Sequence, residues 1–288
     1  SRGLGDVYKR QEGNRRAIAI LEKLVVECPA ELEYRTFLGV NYGHLADHHT
    51  TTKSSEEAEK TFRKAVALWK QLASEFPAEQ NHRVQMARSQ SGLAVALVRQ
   101  GKHSEAINAA ADLDTAELNH VAWQIVAHSD SHPEAIKFAL SLAQKAVARA
   151  PKAGHIVNTL GIAHYRAGDW KAAIDALKQS AALYGGRQFS HNAFFMGMAH
   201  WQRGEKDQAR KWYAPALIWM EKHAPKNGEL LRFRAEAASL LGLPERLSPE
   251  HEQVKADGVE FFKLVTEAHP EAVSYTHLRA HETKANLV

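Results

Sequence analysis

Histidine and aspartate side chains near residue 45 are the groups in this sequence whose spacing could support chemistry. His44 and His48 are four residues apart, and Asp47 and His49 lie beside them. On a helix, two histidines at i and i+4 share one face and can bind the same zinc ion. The sequence fixes no third ligand, so we interpret these residues as structural or solvent-exposed and predict no metal site.

The sequence also contains no recognisable catalytic motif. The segment His128-Ser-Asp-Ser-His132 comes directly before Pro133, and such polar clusters are typical of turns. The sequence contains neither a nucleophile turn with its Ser/His/Asp partners nor a phosphate-binding loop. We therefore predict a non-catalytic chain that needs no cofactor.

Two segments of the chain share one pattern. Residues 160–174 read LGIAHYRAGDWKAAI and residues 196–210 read MGMAHWQRGEKDQAR, which places Gly161 and Gly197 36 positions apart. This pattern resembles the tetratricopeptide repeat, a helical hairpin with a period of roughly 34 residues. The resemblance implies an all-α fold: a tetratricopeptide-type α-solenoid of antiparallel helix pairs with a C-terminal capping helix.

The small residues of these repeats have defined expected positions. Gly161 and Gly197 are expected where paired helices cross, because a side chain there would hold the backbones apart. Gly168 and Gly204 are expected in the turns between helices, where a positive φ favours glycine. His164 and His200 occupy the repeat position that Tyr usually holds, and each is expected to pack with a hydrogen bond.

The repeat pattern also predicts the domain organisation. Residues 12–153 are expected to form divergent repeats, of which the first is truncated and the second has an inserted loop at about 48–55. Two regular repeats follow at 154–225, then a capping helix at 226–243 ended by Gly242 and Pro244, and one further helix at 244–272.

Both termini have an unusual feature at the level of DNA. Residues 1–11 can be encoded by a sequence resembling a library adapter, and its reverse complement, read in another frame, encodes Val273–Glu282. We therefore interpret 1–11 and 273–288 as adapter-derived, and the natural protein as a fragment.

Composition excludes some classes of function. The chain has a net charge of +4, but the adapter-like ends hold five basic residues and two acidic ones, so the remainder carries about +1. We expect neither nucleic-acid binding nor a membrane segment. Cys28 is the single cysteine, which fits a reducing compartment and a cytoplasmic location.

Four segments carry a wider resemblance. They are EFPAE at 75–79, LGIAHYRAGDW at 160–170, AHWQRGEKDQARKWY at 199–213 and LRFRAEA at 231–237. They resemble the C-terminal tetratricopeptide arrays of large bacterial multidomain proteins, often receptor-like serine/threonine kinases. The kinase glycine-rich loop, His-Arg-Asp and Asp-Phe-Gly motifs do not occur in this sequence.

In such arrays the first helix of each hairpin lines the concave face, where a peptide binds. The register predicts ten groove residues, a mixture of aromatic, Met, Arg and amide side chains suited to a protein partner: His155, Asn158, Ile162, Tyr165, Arg166, His191, Phe194, Met198, Trp201 and Gln202. The alternative is that some of them pack into helix interfaces or onto the capping helix.

Three hypotheses of function follow. The first is a non-catalytic scaffold that binds a peptide or partner protein in the concave groove. The second is the partner-recruiting C-terminal region of a bacterial serine/threonine kinase whose catalytic domain lies outside this sequence. The third is a metal-dependent enzyme that uses the histidines around His44.

Overall fold

A computed structural model describes residues 2–52, 54–184 and 189–243 of the 288-residue chain, with side chains for 12–52, 54–183 and 191–243. Every regular element in these ranges is an α-helix. The chain divides after Ile125 into two compact units, a first unit up to Ile125 and a second unit from Val126 onward.

In the first unit, each of the helices α1 to α5 packs on its neighbour in sequence. Its helices are α1 (Arg2–Glu27), α2 (Leu32–Thr51), α3 (Ser55–Glu75), α4 (Gln80–Arg99), α5 (His103–Ala109) and α6 (Thr115–Val126). Tyr42, Trp69 and Leu72 are buried together between α1, α2 and α3. The exposed Cys28 follows α1 directly.

Glycines allow the helices of this unit to approach closely. A Cβ atom on Gly39 of α2 would lie 2.6 Å from the ring of Trp69 on α3, and a Cβ on Gly92 of α4 would overlap the ring of Phe62. Real Cβ contacts are not that short, so both large rings depend on glycine opposite them.

The polar run predicted as an inserted loop at 48–55 is mostly helical, since α2 continues to Thr51 and α3 begins at Ser55. The threonine hydroxyls of this run find their hydrogen-bond partners within α2. Thr50 donates a hydrogen bond to the Ala46 carbonyl (3.0 Å), and Thr51 and Thr52 both donate to the His48 carbonyl (2.8 and 3.0 Å). The hydroxyls therefore need no loop conformation to be satisfied, and the predicted loop bounds were wrong.

The second unit also consists of helices joined by short turns. They are α7 (Pro133–Arg149), α8 (Gly154–Arg166), α9 (Trp170–Tyr184), α10 (Phe189–Gln202), α11 (Lys206–His223) and α12 (Gly228–Leu241). The predicted boundary at 153 differs from the observed division because α7 packs against α8 and so belongs with the regular repeats.

The two regular repeats have the predicted internal geometry. A Cβ on Gly161 would lie 2.7 Å from Leu177 Cγ, and a Cβ on Gly197 would lie 3.1 Å from the Ala209 carbonyl oxygen. Gly168 and Gly204 follow the first helix of each hairpin with φ of 81° and 79°. The expected crossings and turns are therefore confirmed.

The capping helix α12 is confirmed as well. Its N-cap residue Asn227 accepts a hydrogen bond from the Leu230 backbone N–H (3.0 Å), and Gly242 ends it in a left-handed conformation with φ of 63°. Pro244, the helix predicted at 244–272 and the adapter-like segment 273–288 lie outside the described residues. Residues 2–11 form the first part of α1. Their adapter-like origin stays a prediction from the sequence.

Candidate functional site

An open groove lies on the first unit, on the face formed by α2, α4 and α6. Its volume is about 720 Å³, within the range of natural ligand sites. Of these, α2 and α4 each form the first helix of a hairpin, with α3 and α5, and tetratricopeptide folds use such first helices to line a concave surface. We call this the first-unit groove. Its lining is Gly39, Val40, Gly43, His44, Asp47, Thr50, Thr51, Phe62, Trp69, Gln85, Arg88, Ser89, Gly92, Val95, Ala116, Glu117, His120 and Gln124.

Four titratable side chains project into this groove without a partner. Asp47, His44, Arg88 and His120 are exposed, and none hydrogen-bonds or ion-pairs with another described residue. The surrounding helices withdraw water from the Asp47 carboxylate and raise its pKa, while the positive charges of His44, Arg88 and His120 act in the opposite direction. The groove thus offers unsatisfied donors and acceptors to a ligand.

Glu117 differs from these four because its position is fixed. Its carboxylate accepts a hydrogen bond from the Ser91 hydroxyl, which joins α6 to α4 across the groove. Asp114 caps α6 by accepting from the Glu117 backbone N–H (2.9 Å). The α6 wall of the groove is therefore held in place, and the groove is preformed.

The residues considered as metal ligands do not converge. His44 faces the groove, whereas His48 and His49 do not line it. His49 is buried, which lowers its pKa. Within the described ranges, no group of three His, Cys, Asp or Glu side chains is placed to hold a metal ion.

In the second unit, five of the ten predicted groove residues are buried. Ile162, Phe194 and Met198 have no exposed surface, while Asn158 and Tyr165 are 4% and 9% exposed. Asn158 donates a hydrogen bond to the Asn192 side chain (2.8 Å), and Phe194 packs on Tyr213. These five side chains stabilise the packing between helices and do not present a surface to a ligand, which corrects the expectation for them.

The capping helix explains part of this burial. α12 packs more extensively on α10 than on α11, whereas α10 packs more on α9 than on α8. α12 therefore lies over the inner helices and does not continue the stack as another hairpin would. Its Phe233 is 1% exposed and packs edge-on against Phe195, with ring centroids 4.9 Å apart.

Arg166 is the anchor for α12. Its guanidinium group binds both carboxylate oxygens of Glu236, and its Nε donates to the Val126 carbonyl (3.0 Å). It also lies 5.2 Å from the centre of the Phe195 ring. Only 6% of the Arg166 side chain is exposed. This predicted groove residue therefore binds α12 of the same chain and is not accessible to a partner.

The remaining predicted positions keep varying degrees of access. His155 and Gln202 are exposed and Trp201 is half-buried, with the Lys206 ammonium 5.2 Å from its ring centre. His191 is half-buried, with its ring centre 6.2 Å from that of Phe233. Burial lowers the pKa of His191. For these residues groove lining stays a prediction.

The repeat histidines each face an acidic side chain five residues later. His200 Nδ1 lies 2.5 Å from Glu205 Oε2, which is the expected hydrogen bond, while His164 Nδ1 is 3.7 Å from Asp169 Oδ2. Both acids precede the second helix of their hairpin. The expected hydrogen bond is therefore confirmed for His200. For His164 the expectation was wrong, because its buried Nδ1 has no hydrogen-bond partner among the described residues.

The sequence does contain a signal for the groove residues that were missed. His44, Asp47 and Thr51 recur at three- and four-residue spacing, as do Arg88, Gly92 and Val95, so each set shares one helix face. The signal is weak, because α2 does not divide polar and apolar residues between opposite faces and because Gly92 and Val95 are not polar. The divergence of these repeats from the regular pattern hid this register.

Stacked antiparallel helix pairs with an open concave face define the class of α-helical repeat proteins. Within that class, residues 139–188 and residues 193–215 each match a model of the tetratricopeptide repeat. The fold is therefore all-α and of the tetratricopeptide type, with a C-terminal capping helix.

Several solved structures are similar to this chain. A thermophilic TPR protein of Thermus thermophilus has 19% sequence identity and a TM-score of 0.45, covering 71% of this chain and 100% of its own. The pilF protein of Pseudomonas aeruginosa has 14% identity and a TM-score of 0.42, covering 86% and 99%. The Cut9–Hcn1 hetero-tetramer of the APC/C has 14% sequence identity and a TM-score of 0.41. The match covers 88% of this chain and 48% of the other.

None of the curated proteins compared with the chain matches it. No helix in the described ranges is long and apolar enough to cross a membrane.

Proposed function

We propose that this protein is an interaction scaffold whose first-unit groove binds an extended segment of a partner protein. The observation that carries the proposal is the open, preformed groove of about 720 Å³, in which Asp47, His44, Arg88 and His120 have no partner in the described chain. A peptide backbone and its side chains supply the matching donors and acceptors.

A random peptide library displayed on phage tests this proposal. We expect the chain to select peptides whose binding falls at least about tenfold in the variant Arg88→Glu, which reverses a groove charge. The matched control is Lys70→Glu, an exposed residue of α3 that does not line the groove. Peptides retained by both variants, or no selected peptides, would contradict the proposal.

The second unit supports a narrower prediction. His155, Trp201 and Gln202 form the accessible part of the groove predicted there, and a partner could contact them without displacing α12. The variant Trp201→Ala should weaken such a contact, whereas it should leave peptides that depend on Arg88 bound.

The link to a serine/threonine kinase and the cytoplasmic location rest on sequence alone and stay predictions. Genomic DNA upstream of the codon for Glu12, read from an independent clone, tests the first. An encoded kinase domain would support the recruiting role.

A further inference from the structure

The capping helix α12 lies on the first helices of the two regular hairpins, α8 and α10. Its Phe233 ring packs on Phe195 of α10, and its Glu236 carboxylate binds Arg166 of α8. We call the surface under α12, which includes Arg166, His191 and Phe195, the α8–α10 face. Tetratricopeptide folds use the first helices of their hairpins to bind partners, so α12 occupies the place of a ligand.

One stripe of α12 makes the contacts with this face. The buried side chains of the helix share one side by their spacing, and they are Leu230, Phe233, Ala237, Ala238 and Leu241. On another side of the helix, Arg232 and Ser239 are exposed. A helix that buries one apolar stripe and leaves another side in water has the form of an amphipathic helix bound in a groove.

Less packing holds α12 than holds the helices on which it lies. The α8–α9 pair and the α10–α11 pair each pack more extensively than α12 packs on any described helix. α12 also leaves the buried Nδ1 atom of His191 without a hydrogen-bond partner among the described residues. Elements with few buried contacts open at the lowest free energy, so α12 should leave the face before either hairpin unfolds.

We infer that the α8–α10 face is a docking surface for an amphipathic helix of a partner protein, and that α12 is an internal occupant which this helix displaces. The contacts of α12 specify the chemistry of the partner. Its helix carries an aromatic residue that packs on Phe195 and, three positions later, a carboxylate that binds Arg166. Arg166 binds both oxygens of the Glu236 carboxylate, and an amide cannot accept two such hydrogen bonds.

A labelled peptide of residues 227–243 tests the inference by fluorescence anisotropy. In the unmodified chain the tethered α12 competes at a high effective concentration and should exclude the peptide. The double variant Phe233→Ala with Glu236→Gln weakens this competitor and leaves the face intact, so it should bind the peptide at least about tenfold more tightly. Arg232→Gln is the matched control, because Arg232 is exposed on α12, and it should exclude the peptide as well.

Changes in the peptide test the chemistry of the partner. With the double variant as receptor, the peptide changes Phe233→Ala and Glu236→Gln should each weaken binding at least about tenfold. The peptide change Arg232→Gln should leave binding unchanged. Circular dichroism shows whether the double variant is folded, and Glu236→Gln alone serves as the receptor if it is not.

Hydrogen exchange of the unmodified chain tests the displacement without any variant. Backbone amides of α12 should exchange at a lower opening free energy than those of α8 and α10. Equal protection of the three helices would contradict an α12 that opens by itself.

Two further results would overturn the inference. Equal peptide binding by the double variant and the unmodified chain, or binding that ignores the changes at Phe233 and Glu236, would reject the α8–α10 face as a site for such a helix. A dimer of the double variant, detected by light scattering, would assign the face to a second copy and reject a separate partner. Neither result concerns peptides that depend on Arg88, so the proposed function is tested separately.

Discussion

Gly39 and Gly43 have opposite roles although they are four residues apart on the same helix. We expect Gly39→Ala to lower the free energy of unfolding by about 1–3 kcal/mol, because its Cβ would enter the Trp69 ring. Gly43→Ala should raise it by about 0.5–1 kcal/mol, because it removes the helical glycine at no steric cost. Urea unfolding followed by circular dichroism measures both, and equal effects would contradict the contact seen at Gly39.

His191 makes the second unit sensitive to acid. Burial lowers its pKa below the ordinary value of 6.5, and nearby Glu229 opposes this only in part. As the pH falls below about 6.5, the unfolded chain takes up the proton first, so stability declines until the pH passes the lower folded pKa.

The variant His191→Phe keeps a ring against Phe233 and removes the titration. It should lose less stability than the unmodified protein between about pH 7.5 and pH 5. His155→Gln is the control, since His155 is exposed. If both variants keep the full pH dependence, another group is responsible.

At the scale of elements, α12 is held by an ion pair with little exposure to water. Glu236→Gln leaves the Arg166 charge without its partner, so we expect a loss of about 2–3 kcal/mol in unfolding free energy, below that of fully buried pairs because Glu236 stays 23% exposed. The exposed pair Lys137–Glu134 provides a control, and Glu134→Gln should change stability by about 0.5 kcal/mol or less.

The double variant Arg166→Met with Glu236→Leu completes the test. It should be more stable than Glu236→Leu alone, because no unpaired charge remains under α12. If the loss of unfolding free energy in the double variant equalled the sum of the losses in the two single variants, the two side chains would not be coupled.

The helix elements were largely predictable, and the exposure of their side chains was not. The period of 36 residues predicts the contacts of Gly161 and Gly197, because these depend only on the hairpin that contains them. Tyr165 packs against Phe195 of α10, and Arg166 is covered by Glu236 of α12, so their burial depends on helices outside their own hairpin. A repeat register gives the face on which a residue lies and does not give what covers that face.

The groove in the first unit was missed for a related reason. Its lining comes from α2, α4 and α6, whose sequences depart from the regular pattern and whose connections differ in length. Three helices that cannot be aligned by a common period cannot be placed side by side from sequence. Only coordinates bring Asp47, Arg88 and His120 to one surface.

At the scale of the whole molecule, residues 12–17 of α1 contribute no buried side chain to the core. Ile18 is the first buried side chain among those described. Because residues 1–11 are interpreted as adapter-derived, we expect their deletion to change the free energy of unfolding by no more than about 0.5 kcal/mol. Deletion of residues 1–21 also removes Ile18 and Leu21 from the cluster around Trp69, and should cost at least about 2 kcal/mol. Equal effects of the two deletions would contradict this division of α1.

The turns at Gly168 and Gly204 have a consequence for chemical synthesis. At both residues the space where a side chain would stand is empty, and only the sign of φ disfavours an ordinary amino acid. Handedness at the α carbon, not lack of room, is therefore the constraint. A mirror-image alanine introduced by peptide ligation should stiffen both bends, since it prefers the positive φ that glycine merely tolerates.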